Sequence, residues 1–86
     1  MEKQVICDVY RSSTVENLYI YVPAADGLSK VPQELLGQFG EPEKAVSFTL
    51  TADRALAKED PLKVLQNLNE FGFHVQLPPA DERFRG

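Results

Sequence analysis

The sequence predicts an α+β fold: a two-layer α/β sandwich in the order β-β-α-β-α-β, with two helices packed on one face of a four-stranded, mixed sheet. Three observations carry this expectation. Residues 31–40 and 60–72 repeat their apolar side chains at helical spacing, so each buries one stripe. Other stretches alternate with period two, which sends successive side chains to opposite faces of a strand. Gly and Pro stand at most points where one period gives way to the other.

Residues 4–11, QVICDVYR, set Val5, Cys7 and Val9 against Ile6, Asp8 and Tyr10. Apolar groups on both faces suit a central strand. Ser12, Ser13, Thr14 and Asn17 supply turn chemistry before LYIYV, where Leu18, Ile20 and Val22 oppose Tyr19 and Tyr21. The two strands form a hairpin over an open loop. Pro23 to Gly27 breaks the second strand, and VPQELLGQFG reads as a short helix with Pro32 in its first turn, Leu35, Leu36 and Phe39 inward, and Gly40 as its stop. Two turns do not stand alone in water, so this helix must be held by packing on the sheet.

Pro42 leads into AVSFTLT, with Val46, Phe48 and Leu50 inward and Ser47, Thr49 and Thr51 outward. Residues 52–59 read as a loop that can hold one helical turn anchored by Leu56. The second helix has both boundaries written in: Asp60 accepts from the first free amides, Pro61 suits the first helical position, and Gly72 ends it. Its stripe is Val64, Leu65, Leu68 and Phe71. Period two then returns, with Phe73, Val75 and Leu77 opposing His74 and Gln76, until Pro78-Pro79 ends the strand. The hairpin pairs antiparallel, while the later strands each follow a helix, which invites a parallel pairing and hence the mixed sheet.

At 86 residues the chain is a single domain, 1–86, with an ordered core of about 4–79 and a flexible charged tail over 80–86. One cysteine excludes an internal disulfide. The absence of a secretory apolar segment near Met1 and of any apolar run long enough to span a bilayer gives the expectation of a cytoplasmic protein with no membrane association. A formal net charge of −4 argues against a general binder of phosphate backbones.

Taken in order, Cys7-Asp8-Val9-Tyr10-Arg11-Ser12-Ser13, Tyr19-Ile20-Tyr21-Val22, Val31-Pro32-Gln33-Glu34-Leu35-Leu36, Phe39-Gly40-Glu41-Pro42, Arg54-Ala55-Leu56, Gly72-Phe73 and Gln76-Leu77-Pro78-Pro79 give the chain its signature. This series resembles the YcgL domain family of small proteobacterial proteins. The resemblance implies two helices on a four-stranded sheet and carries over no activity, cofactor or catalytic residue.

For function, Tyr10, Arg11 and Ser12 mark a binding edge at a strand end, since a guanidinium forks onto carboxylates or phosphates and the loop hydroxyls add donors. The competing reading is a turn that satisfies its own backbone. Tyr10, Tyr19 and Tyr21 are expected together on the sheet face away from the helices, available to a partner protein, or else as cross-strand packing pairs. Arg54 is either part of the same surface or paired with Asp53, Glu59 or Asp60, and Gln76 begins an extended segment that ends at the double proline. Cys7 and His74 are the only thiol and the only imidazole; a nucleophile pair would need their strands to be neighbours. No metal-ligand spacing and no phosphate-binding glycine loop occurs, so no cofactor and no metal are expected. The expected function is a non-catalytic protein-binding or adaptor module with a surface of Tyr10, Arg11, Ser12, Tyr19, Tyr21, Arg54 and Gln76. The alternatives are a nucleic-acid-associated factor, which needs Arg11, Arg54 and Lys30 brought into one patch, and a small enzyme using Cys7 and His74.

Overall fold

The computed structural model describes residues 4–54, 56 and 59–78. The expected tail at 80–86 lies outside the described residues, as do parts of the 52–59 loop. The elements are β1 (Gln4–Arg11), β2 (Tyr19–Pro23), α1 (Gln33–Phe39), β3 (Glu43–Thr51), α2 (Pro61–Glu70) and β4 (His74–Gln76). They follow the expected order β-β-α-β-α-β. Among the described residues no helix is long and apolar enough to cross a membrane.

The sheet order is β3-β1-β2-β4, and all three pairings are antiparallel. The expected mixed sheet therefore gives way to an antiparallel one. A helical crossover does return β3 parallel to β2, but β1 lies between them, so the two parallel strands never share a ladder. β1 is central, as its two apolar faces required.

Cross-strand partners share a face, which sorts the sheet into two surfaces. One carries Val5, Cys7, Val9, Tyr19, Tyr21, Phe48 and Leu50, and on it Val64, Leu65 and Leu68 of α2 are buried. The other carries Leu18, Ile20 and Val22, and there Phe39, Leu35 and Leu36 of α1 pack together with Val31, Leu28, Phe73 and Val75. The helices thus cover opposite faces rather than one. The reason lies in β2, whose two side-chain rows are both apolar or aromatic: each needs a cover, and one helix covers only one row.

Local chemistry sets the element ends. Asp60 accepts from the Leu62 amide at 3.0 Å with Pro61 next to it, while Gly72 takes a φ of +87° and donates to the Leu68 carbonyl at 3.1 Å. Phe71, expected in the buried stripe, is 56% exposed, because as the C-cap it sits where the chain leaves the helix axis. Leu77 is likewise exposed. β4 stops at Gln76, opposite Tyr19, where β2 itself begins and no partner remains.

Candidate binding surface

The register builds the surface from four strands. Arg11 stands opposite Glu43 on β3 and Tyr19 on β2, and Tyr19 stands opposite Gln76 on β4, so Glu43, Arg11, Tyr19 and Gln76 form one row across the whole sheet. This row lies on the α2 face, yet none of its members is buried, whereas Val9 and Tyr21 in the next row are.

Within the row, Arg11 donates through Nη2 alone to Glu43 Oε2 at 3.1 Å, and both side chains are 55% exposed. A guanidinium has five N–H donors, so this single bond leaves most of the fork open to a carboxylate. Gln76 accepts from the Tyr21 hydroxyl at 2.6 Å, which holds its amide against the buried ring. Burial, and after it the charge of Glu59, pushes the Tyr21 phenol up, so it stays protonated and remains a donor. Tyr19 lies half-buried between Arg11 and Gln76.

The other expected site residues are dispersed. Arg54 is on the same face but stacks on Phe48, its guanidinium carbon 4.5 Å from the ring centre, in place of the pairing expected with Asp53, Glu59 or Asp60. Tyr10 falls on the opposite face, with the Lys44 ammonium 6.0 Å from its ring centre, so the three tyrosines do not share a surface. Period two requires that separation, because Tyr10 pairs with Ile20 and not with Tyr19 or Tyr21. Ser12 is buried in the loop after β1. Its Oγ donates to the Phe39 carbonyl at 2.6 Å and accepts from the amides of Thr14 at 3.1 Å and Val15 at 2.9 Å. Thr14 donates its hydroxyl to the Gln38 carbonyl at 2.8 Å, so the loop closes the open end of α1.

Cys7 and His74 share a face but not a site. β2 separates their strands, and Cys7 is fully buried. Burial, reinforced by the charge of Asp8 and opposed by a backbone hydrogen bond with Val22, pushes the Cys7 thiol up to about 12. It holds no thiolate near neutrality. His74 uses both ring nitrogens: Nδ1 meets Asn67 Nδ2 at 2.8 Å and Nε2 meets Glu59 Oε1, with Tyr21 edge-on at 5.6 Å. An amide nitrogen can only donate, so with Asn67 in this orientation Nδ1 accepts and Nε2–H donates to the Glu59 carboxylate. The arrangement ties the connection before α2 to β4 and leaves no ring nitrogen for a substrate.

Asp8, which sequence reasoning passed over, is buried on the α1 face beside the uncovered half of the sheet. Its carboxylate accepts from Ser47 Oγ at 2.5 Å and meets the Lys44 ammonium at 3.3 Å. Only the register shows this: Asp8 stands opposite Ser47, and the bulge between Val9 and Tyr10 places Lys44 within reach. Among the described residues, no group of three or more His, Cys, Asp or Glu could hold a metal ion.

Comparison with known proteins adds the lineage. The family model of the YcgL domain matches residues 7–79. A YcgL domain-containing protein of Pseudomonas putida is 46% identical over 79 residues, covering 92% of this chain and 81% of that protein. One from Pseudomonas paraeruginosa is 44% identical over the same shares, and one from Stutzerimonas stutzeri is 42% identical over 94% of this chain and 84% of its own length.

Proposed function

The chain belongs to the YcgL domain family, and from that premise we propose that it is a non-catalytic protein-binding or adaptor module whose contact surface is the row Glu43, Arg11, Tyr19 and Gln76. One observation carries the reading: a half-open guanidinium and a half-buried tyrosine stand side by side in a row that the helix on that face leaves exposed. Arg and Tyr are the side chains that most often anchor protein interfaces, since they bring large contact area and directed donors at modest entropic cost.

Two features favour a protein partner over nucleic acid. The cations a basic patch would need stand apart: Arg11 beside Glu43 at the start of β3, Arg54 on Phe48 past the far end of that strand, and Lys30 beside Asp26 at 3.7 Å. The net charge of −4 opposes a polyanion as a whole. Against the enzyme reading stand the buried, protonated Cys7 and the fully engaged His74.

The test is affinity capture from a lysate of the source organism with wild type beside an Arg11→Ala/Tyr19→Ala variant whose fold is checked by circular dichroism. Tyr21 is left intact because it belongs to the core. The expected result is one defined protein retained by wild type and bound roughly tenfold more weakly by the variant, the size of effect two interface anchors have. Equal retention by both forms, or by neither, would overturn the proposal.

A further inference from the structure

The row on the α2 face has a hydrogen-bonding polarity of its own. Gln76 accepts from the Tyr21 hydroxyl through Oε1 at 2.6 Å, so with the amide in this orientation its Nε2 group is left as a donor with no partner among the described residues. Arg11 commits one N–H to Glu43, out of the five a guanidinium carries. Tyr19 stands half-buried between the two. Both groups that flank the tyrosine therefore have N–H donors to give. The one carboxylate, Glu43, is at the β3 end of the row, with Arg11 between it and the rest. Val46, 48% exposed on the same face past the bulge, adds an apolar shelf at that end.

We propose that the row receives an extended segment of a partner protein, laid across the strands, that sets one Asp or Glu side chain on Arg11 and a main-chain carbonyl on Gln76. This rests on the row being the contact surface, and it names the chemistry that the surface takes. Free donors require acceptors. A carboxylate matches the planar fork of a guanidinium, and a charge-assisted bond of that kind is about twice as strong as a neutral one. A basic segment has only Glu43 to meet and would bring its charge against Arg11. The net charge of −4 limits the segment to a single acid, since a run of acids would be repelled by Glu43 and by the chain as a whole. Sheet geometry sets the length. Four strands make the row about 14 Å long, the span of about four extended residues, and Arg11 and Gln76 lie two strand spacings apart, about 10 Å or three residues. The row ends at both edge strands, β3 and β4, so a chain can cross it and continue, which makes the carboxylate a side chain and not a chain terminus. Four residues cover far less than the about 800 Å² per partner of a standard interface, so the segment in isolation binds with a Kd on the order of 1 mM.

The experiment follows the amide NMR spectrum of the isotope-labelled full chain during titration with pools of acetylated, amidated hexapeptides, built from Ala, Ser, Leu and Val around one fixed Glu, Gln or Lys. A further pool has a free C-terminus as its only carboxylate. The expected result is that the Glu pool shifts the amides of Arg11, Tyr19 and Gln76 and binds about fivefold more tightly than the Gln pool. Arg11→Gln, at an exposed position, should abolish that preference with the fold intact. Gln76→Glu keeps an acceptor for Tyr21 but removes the donor, and should weaken the Glu pool about fivefold. Equal binding of the Glu and Gln pools, preference for the Lys pool or for the free terminus, a Glu preference that survives Arg11→Gln, or no shift in the row up to about 5 mM peptide would overturn the proposal. Shifts of the row produced by protein concentration alone would assign it to a second copy instead and overturn it too. The surface itself is judged separately: lysate capture that still depends on Arg11 and Tyr19 keeps the row while the acidic segment falls, and loss of that capture removes the row.

Discussion

At Cys7 the environment decides between a nucleophile and a core residue. The folded chain keeps its proton to about 12 against an ordinary value of 9.0, so above pH 9 the unfolded chain releases a proton that the folded chain retains. Stability tied to this group is therefore present below pH 9 and is lost as the pH rises toward 12, by about 1.4 kcal/mol per unit. Denaturant unfolding of wild type and Cys7→Ala should show it: between about pH 8 and pH 10 the wild type loses about 1.4 kcal/mol more than the variant. The thiol should also resist alkylation until the chain unfolds. His74 presents the complementary case of a group fully engaged by its neighbours. Removing either the Asn67 donor or the Glu59 acceptor leaves a ring nitrogen unsatisfied in a site that is mostly buried. Asn67→Ala and Glu59→Ala should each cost about 1–2 kcal/mol in chemical denaturation. The double variant should cost less than the sum, because both act through one ring.

Among the elements, the loop after β1 separates two neighbours that look alike in sequence. Arg11 reaches an exposed pair, and Arg11→Ala should change stability by less than about 1 kcal/mol. Ser12 closes α1 onto the hairpin, and Ser12→Ala would strand the Phe39 carbonyl and two loop amides, a loss of about 1–3 kcal/mol. Thermal melts of the two variants distinguish the roles. α2 is anchored differently, by packing. Leu65→Ala opens a cavity under a fully covered side chain and should cost about 2–5 kcal/mol, whereas Leu62→Ala, at an exposed position, should change stability by less than about 0.5 kcal/mol. The Asp60 cap lies between them: Asp60→Ala should cost about 1 kcal/mol.

For the molecule as a whole, 86 residues with one helix on each sheet face make a small core in two halves, and each of these losses is a visible fraction of its stability. A loss of 1 kcal/mol corresponds to about 4–8 °C in Tm at this size, so the Leu65→Ala and Ser12→Ala variants should melt well below wild type. The sequence by itself determined the six elements, their order, the cap at Asp60, the stop at Gly72 and the central place of β1, because capping, turn chemistry and side-chain period act over a few residues. It also set Cys7 in one row with Val5 and Val9, the row on which α2 packs. What the tertiary structure alone decided is which strands meet and which face each helix covers. Period two separates Tyr10 from Tyr19 and Tyr21, but only the register makes Glu43, Arg11, Tyr19 and Gln76 a row and brings Asp8 to Ser47 and Lys44. Those contacts join residues far apart in the chain, and no local preference encodes them; they follow from burying both apolar faces of β2 at once.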